Sequence, residues 1–225
     1  MKKILSILIL CGTMALSSCE TLQQVAGSMG GPVTEAEAGQ GIKEALAQGL
    51  VKSVLQLNNV DGFFKDAVYK ILMPPEAKKI ENTLRSLGMN SLVDKAILSI
   101  NRGAEEAVGT AKPIFADAIK SMTLQDAIGL IKNGDTSATH FFRVKTTDKL
   151  IAALTPVIQS SLDKVNGTKY YGDLVTTYNN LPTTIKKINP DLTSFVTIKA
   201  TDALFDLVAK EEKNIRTNFA ARTTD

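Results

Sequence analysis

The chain has 225 residues, 44% hydrophobic and 22% charged, with aromatics at 5% and no tryptophan. That is enough for one sizeable core, and a composition rich in alanine, leucine, isoleucine and lysine favours helices over sheets. The formal charge of +3 counts 26 basic against 23 acidic residues and includes Lys2 and Lys3, in a segment expected to be removed; without those two lysines the basic residues exceed the acidic ones by one. Acids and bases are interleaved throughout, so no face has the clustered positive charge a phosphate backbone needs, and nucleic acid is not an expected partner.

Two lysines, an apolar run from Ile4 to Leu10 and a small-residue region predict a secretory leader, because the run is too short to span a bilayer. Leu16-Ser17-Ser18-Cys19 resembles the bacterial lipobox, in which small side chains precede the cysteine that accepts the lipid. Cys11 is the rival acceptor, but the residue before it, Leu10, is large. The expectation is a leader over 1–18, lipidation of Cys19, and a mature chain with no free thiol, disulfide or cysteine metal ligand. Durable membrane attachment needs more than one acyl chain on that cysteine. Glu20 stands where an inner-membrane retention signal would place Asp, which points to the periplasmic face of the outer membrane. Residues 19–33, containing Gly27, Gly30, Gly31 and Pro32, read as a flexible tether with an average reach of roughly 20 Å.

Thr34 and Glu37 form a capping-box pattern, followed by Ile42, Leu46, Leu50, Val54 and Leu57 at helical spacing. This predicts a long first helix ending near Asn58-Asn59. Asp61-Gly62 signals a turn, and Tyr69 to Met73 an extended piece. Pro75 and Glu76 suit the start of a second helix, which Gly88 ends. Asn90 or Ser91 opens the next, whose apolar face is Val93, Ile97, Ile100, Ala104 and Val108, with Gly109 and Pro113 closing it. Short helices follow over 114–122 and, after a Thr123 cap, over 127–132. Asn133-Gly134 is a turn, and Asp135 or Thr136 caps 137–145. Thr146 or Thr147 then starts a longer helix with Pro156 as a kink. Helices over 170–181 and from Leu192 to about Arg216, the latter capped by Asp191, complete the chain. The fold expectation is all-α: a single compact multi-helix domain over 34–225, with long first and last helices, after the tether.

On a helix from Ser91 to Val108, Asp94, Asn101 and Glu105 fall within about 40° of one another, with Arg102 beside them, along the edge of the apolar face. The last helix carries Asp202, Glu212 and Arg216 within an apolar stripe. A solvated charge run and an ordinary Glu212–Arg216 surface pair are the bland readings. If the stripe is buried, these charges must find partners. The candidate polar cluster is therefore Asp94, Asn101, Arg102, Glu105, Glu212 and Arg216. Neither a nucleophile elbow, a second histidine, a metal-ligand spacing nor a phosphate loop accompanies it, so no catalytic residue, metal or cofactor is assigned. His140, before Phe141 and Phe142, reads as a structural or partly exposed histidine.

The blocks LVDKAILSINRGAEEAV, AKPIFADAIKSMTLQDA, SATHFFRVKTTDKL and ALFDLVAKEEKNIRTNFAARTTD, with Ile42 to Leu46 and Pro74-Pro75, resemble the bacterial family called domain of unknown function 4197. The resemblance implies a secreted or lipidated, mainly helical protein of no established activity. It places the family's polar signature on Asp94, Asn101, Arg102, Glu105, Pro113, Thr123, Asp126, Thr139, Glu211, Glu212, Arg216 and Arg222. Gly109 departs from a usual proline, and relatives tend to continue past the position of Asp225 with a short apolar tail. The leading functional expectation is a membrane-tethered, non-enzymatic domain that binds an unknown protein or small molecule. A hydrolase-like enzyme using Asp94, Glu105 and Glu212 with Arg102 or Arg216, and a carrier of apolar molecules, are the alternatives.

Overall fold

Thr34 donates its N–H to Glu37 Oε2 at 2.8 Å and accepts the Glu37 N–H at 3.2 Å, so the capping box is formed and helix α1 (Glu35–Leu57) begins where the sequence predicts. The computed structural model describes residues 34–134, 136–188 and 191–217. The expected leader, Cys19 and the tether lie outside the described residues. Residues up to Ala38 and those from Gly39 onward separate into two units, and the second holds the core.

Beyond α1 the chain runs through an irregular stretch to a 3₁₀ turn (Pro75–Ala77) and helix α2 (Lys78–Ser86). Gly88 ends α2 at φ +79°, a conformation that glycine adopts without strain, and the Met89 N–H closes back on Leu84 O at 2.9 Å. Helix α3 (Asn90–Ala107) follows. Asn90 is its first residue, and neither Asn90 nor Ser91 caps it through a side chain. A 3₁₀ turn (Val108–Thr110) passes directly into helix α4 (Ala111–Ser121), so Pro113 does not mark a break. It lies in the first turn, where a missing N–H costs nothing.

Thr123 and Asp126 form the second capping box, at 2.9 and 3.0 Å, and start helix α5 (Leu124–Lys132). The expected break at Thr146 is not there: helix α6 (Ser137–Lys164) is continuous, with Pro156 inside it. The Thr146 and Thr147 hydroxyls bond back to Phe142 O and Arg143 O within the helix, each at 2.6 Å, and so do not cap. Helix α7 (Gly167–Asn179) and helix α8 (Leu192–Thr217) complete the described chain, with Asp191 Oδ1 accepting the Ser194 N–H at 3.1 Å.

The architecture is all-α, and among the described residues no strand is present and no helix is long and apolar enough to cross a membrane. The core centres on α6, which packs against α3, α4, α7 and α8. Phe142 of α6, Phe115 of α4 and Phe205 of α8 are all buried and meet edge to face, Phe115 lying 6.2 Å from each of the other two. Gly103 allows α3 to approach α6, because a Cβ there would sit 2.9 Å from Leu162 Cδ2. Helix α1 rests on α8, with Gly49 against Glu211 and Ile215 and with Lys52 bonded to Glu211 at 2.8 Å.

Candidate functional site

The structure distributes the six candidate residues over separate places. Asp94 is 64% exposed near the start of α3, where Arg85 of α2 holds it at 2.8 Å. Two turns further along, the same edge of the helix sinks into the protein. Asn101 is fully buried, and its side-chain amide pairs with both backbone groups of Ile71: Oδ1 accepts the N–H at 2.8 Å and Nδ2 donates to the carbonyl at 2.8 Å. This is the pairing a neighbouring strand would supply, which is how the extended piece around Ile71 survives without a sheet.

Glu105, also buried, receives the N–H groups of Phe63 and Phe64 on Oε1, each at 3.1 Å, and pairs through Oε2 with Arg102 at 2.5 Å. Arg102 continues to Asp61 at 2.6 Å. Asp61 is held at φ +72°, and its carboxyl lies below the usual range because Lys65 and then Arg102 hydrogen-bond to it. The carboxylates of Asp61 and Glu105 thus share one arginine, and the turn after α1 is fastened to α3.

Glu212 of α8 repeats the arrangement. Its carboxylate accepts the Ala138 N–H at 3.0 Å, the Thr139 N–H at 2.8 Å and the Thr139 hydroxyl at 2.7 Å, and pairs with Arg216 at 2.6 Å. Ala138 and Thr139 open α6, where Thr136 stands at φ +69° and makes no cap through its side chain. Glu212 therefore takes over the capping role from another helix, and Asp135, the other expected cap, lies outside the described residues. Burial by itself would raise the Glu212 carboxyl. The Thr139 hydroxyl, Arg216 and the two N–H groups outweigh burial and hold it below its ordinary value. Arg216 also donates to Leu130 O at 2.9 Å and to Ser137 Oγ at 2.8 Å, tying the end of α5 to the start of α6.

One further polar cluster joins the irregular stretch to α8. Tyr69 donates its hydroxyl to Asp206 at 2.7 Å, and Lys210 donates to the Tyr69 oxygen at 2.6 Å and pairs with Asp206 at 2.9 Å. Burial, then the Asp206 carboxylate, push the phenol above its ordinary value, against the pull of Lys210. Sequence patterning missed this cluster because Tyr69 lies 137 residues from Asp206.

A groove of about 620 Å³ opens between α5 and the first half of α6. Its walls include Asp126, Gly129 and Leu130 on one side and His140, Phe141 and Lys145 on the other. Leu130 and Ser137, the two groups that Arg216 joins, also line it. Among the described lining residues Asp126 is the one carboxylate, and the Thr123 N–H and hydroxyl occupy it. The order HFFR is divided by the helix: His140 is exposed to the groove, Phe142 is in the core, and Arg143 lies 4.5 Å over the ring of Phe205.

The family described as protein of unknown function, DUF4197, matches residues 32–225. The chain belongs to that family. Comparison with curated proteins and with solved structures gives no match. Several of the residues on which the DUF4197 resemblance placed its polar signature turn out to fix backbone: Thr123 and Asp126 cap α5, Thr139 and Glu212 secure α6, and Asn101 and Glu105 hold the irregular stretch. Glu211 joins α8 to α1, and Arg222 lies outside the described residues. The groove residues Gly129, His140 and Lys145 stand outside that signature. In the sequence His140 reads as a structural or partly exposed histidine, and Gly129 is set inside a helical pattern.

Proposed function

We propose that this DUF4197 chain is a non-enzymatic binding domain held at the periplasmic face of the outer membrane by a lipid on Cys19, with the α5–α6 groove as its binding site. The observation that carries the reading is the contrast between the groove and the polar cluster. Glu105 and Glu212 are committed to backbone N–H groups and to an arginine each, so neither is free for acid–base work, whereas the groove is open to solvent with Phe141 and Val144 in its wall. Paired-carboxylate chemistry needs two carboxyl groups about 5–9 Å apart across a cleft, and the groove offers Asp126 alone among its described lining residues. The volume also falls within the range of ligand sites, which favours a small-molecule ligand as the second reading beside a protein partner.

Replacing Cys19 with Ala and fractionating cells tests the address: the expected result is release from the membrane fraction and loss of acylation, and retention would refute it. Val144→Glu tests the groove. This residue is 68% exposed, so the fold should tolerate the change, and crosslinking in intact cells should lose the adduct formed by the native chain. An unchanged adduct would move the site elsewhere.

A further inference from the structure

Gly129 sits inside α5, where glycine weakens a helix relative to alanine. Nothing in the surrounding chain requires it. A Cβ at Gly129 would meet no atom nearer than Asn133 Nδ2 at 3.9 Å, whereas a Cβ at Gly103 or Gly167 would press on Leu162 at 2.9 Å. Its backbone is also outside the left-handed region that selects glycine elsewhere, at Gly88 and Gly134. Vacant space beside a helical glycine is not itself a site, since Gly172 on α7 has it as well. The space beside Gly129 differs in opening into the α5–α6 groove.

The rest of the lining states what kind of molecule would use that space. Leu130, Phe141 and Val144 give an apolar surface, and Val144 is 68% exposed. At the mouth, Lys145 makes no ion pair among the described residues and lies 5.9 Å from the centre of the Phe141 ring. The Asp126 carboxylate close to it, though hydrogen-bonded by Thr123, offsets one positive charge, and Lys43 adds a second near that carboxylate. His140 makes no side-chain hydrogen bond among the described residues. The groove therefore has an apolar strip between polar residues, and at one end two lysines face a single carboxylate.

We propose that the groove binds a small amphipathic anion, its head at Lys145 and its apolar chain along Val144, Phe141 and Leu130, passing close to the α5 backbone at Gly129. The proposal rests on the reading of the groove as the binding site and adds the class of ligand. A straight chain is thin enough to use the gap that a Cβ would narrow, and a volume of about 620 Å³ accommodates one with room for its head. The head is an oxyanion, carboxylate or phosphate, and the probes separate the two.

The test uses the mature chain carrying Cys19→Ala, titrated with decanoate, decyl phosphate and decyltrimethylammonium, each below its micelle concentration, while backbone amide resonances are followed. Saturable shifts at Gly129, His140 and Val144 are expected with at least one of the two anions, and which anion is stronger identifies the head group. The cation should bind at least about tenfold more weakly, and Lys145→Met should remove that difference. Gly129→Ala should raise the thermal midpoint by about 2–4 °C, from its helix propensity alone, while weakening anion binding at least about tenfold. Equal binding of cation and anion in the groove would overturn the anion assignment and leave the groove reading standing. Absence of any saturable shift in the groove would overturn the ligand class, and if the Val144→Glu crosslinking experiment also leaves the adduct unchanged, the groove reading falls with it. A lowered midpoint for Gly129→Ala, or unchanged binding by it, would overturn the role given to the glycine.

Discussion

Glu212 accepts both the backbone N–H and the hydroxyl of Thr139, a residue 73 positions earlier in the chain. One carboxylate thereby closes the open end of α6 and fixes α8 against it.

Removing the charge should be costly. Glu212→Gln keeps an acceptor but places an amide against Arg216 and the two N–H donors, and the expected loss is about 2–4 kcal/mol in urea unfolding, from the usual cost of breaking a buried charge-assisted network. Arg216→Met should cost a comparable amount by leaving the carboxylate without its counter-charge. The double variant should be less destabilised than the two losses combined. Strict additivity would mean that the two side chains act independently.

The same carboxylate predicts an acid limb. Its folded-state value lies below the ordinary 4.5, so its contribution is complete above about pH 4.5 and disappears as pH falls through the folded value. Glu212→Gln lacks that contribution at every pH. The stability gap between the native chain and the variant should therefore be widest near neutrality and narrow on acidification below about pH 4.5. Urea midpoints at three pH values measure it, and a constant gap would contradict the assignment.

Asn101→Ala leaves the N–H and carbonyl of Ile71 without their partner in a fully buried place. About 2–4 kcal/mol of destabilisation is expected, with faster hydrogen exchange at the Ile71 amide than at amides in the middle of α6. Uniform acceleration across both would mean that Asn101 supports the whole core and not the irregular stretch in particular.

Tyr69→Phe removes the hydroxyl shared by Asp206 and Lys210 and should cost about 1 kcal/mol. Because the folded phenol holds its proton more tightly than an ordinary tyrosine, its contribution is present below about pH 10 and is lost as pH rises through the folded value. Ultraviolet titration of the native chain should show a late-ionising phenol that the variant lacks.

The parts legible in the sequence are those written within one turn of chain. Thr34 with Glu37, Thr123 with Asp126, Gly88 after α2 and Asp191 before α8 each act on neighbours three or four residues away, and each appears where its pattern places it. Thr146 misled because a hydroxyl that caps a helix and one that bonds back inside a helix look alike in sequence. The edge carrying Asn101, Arg102 and Glu105 was legible as a polar line, but its partners were not: Ile71, Asp61 and Phe63 lie 30 to 42 residues away, in a stretch without periodicity. Whether Glu212 is buried depends on where α6 begins, which no pattern near Glu212 states.

Synthesis gives the Glu212–Thr139 bond a further consequence. Thr139 leaves the ribosome 73 residues before the carboxylate that will secure it, an interval of roughly 4–15 s at ordinary elongation rates. Throughout that interval the N–H groups that Glu212 will accept have only water, or a chaperone that holds the emerging chain, as partners. A helix made late, α8, is the one that completes the start of the central helix α6.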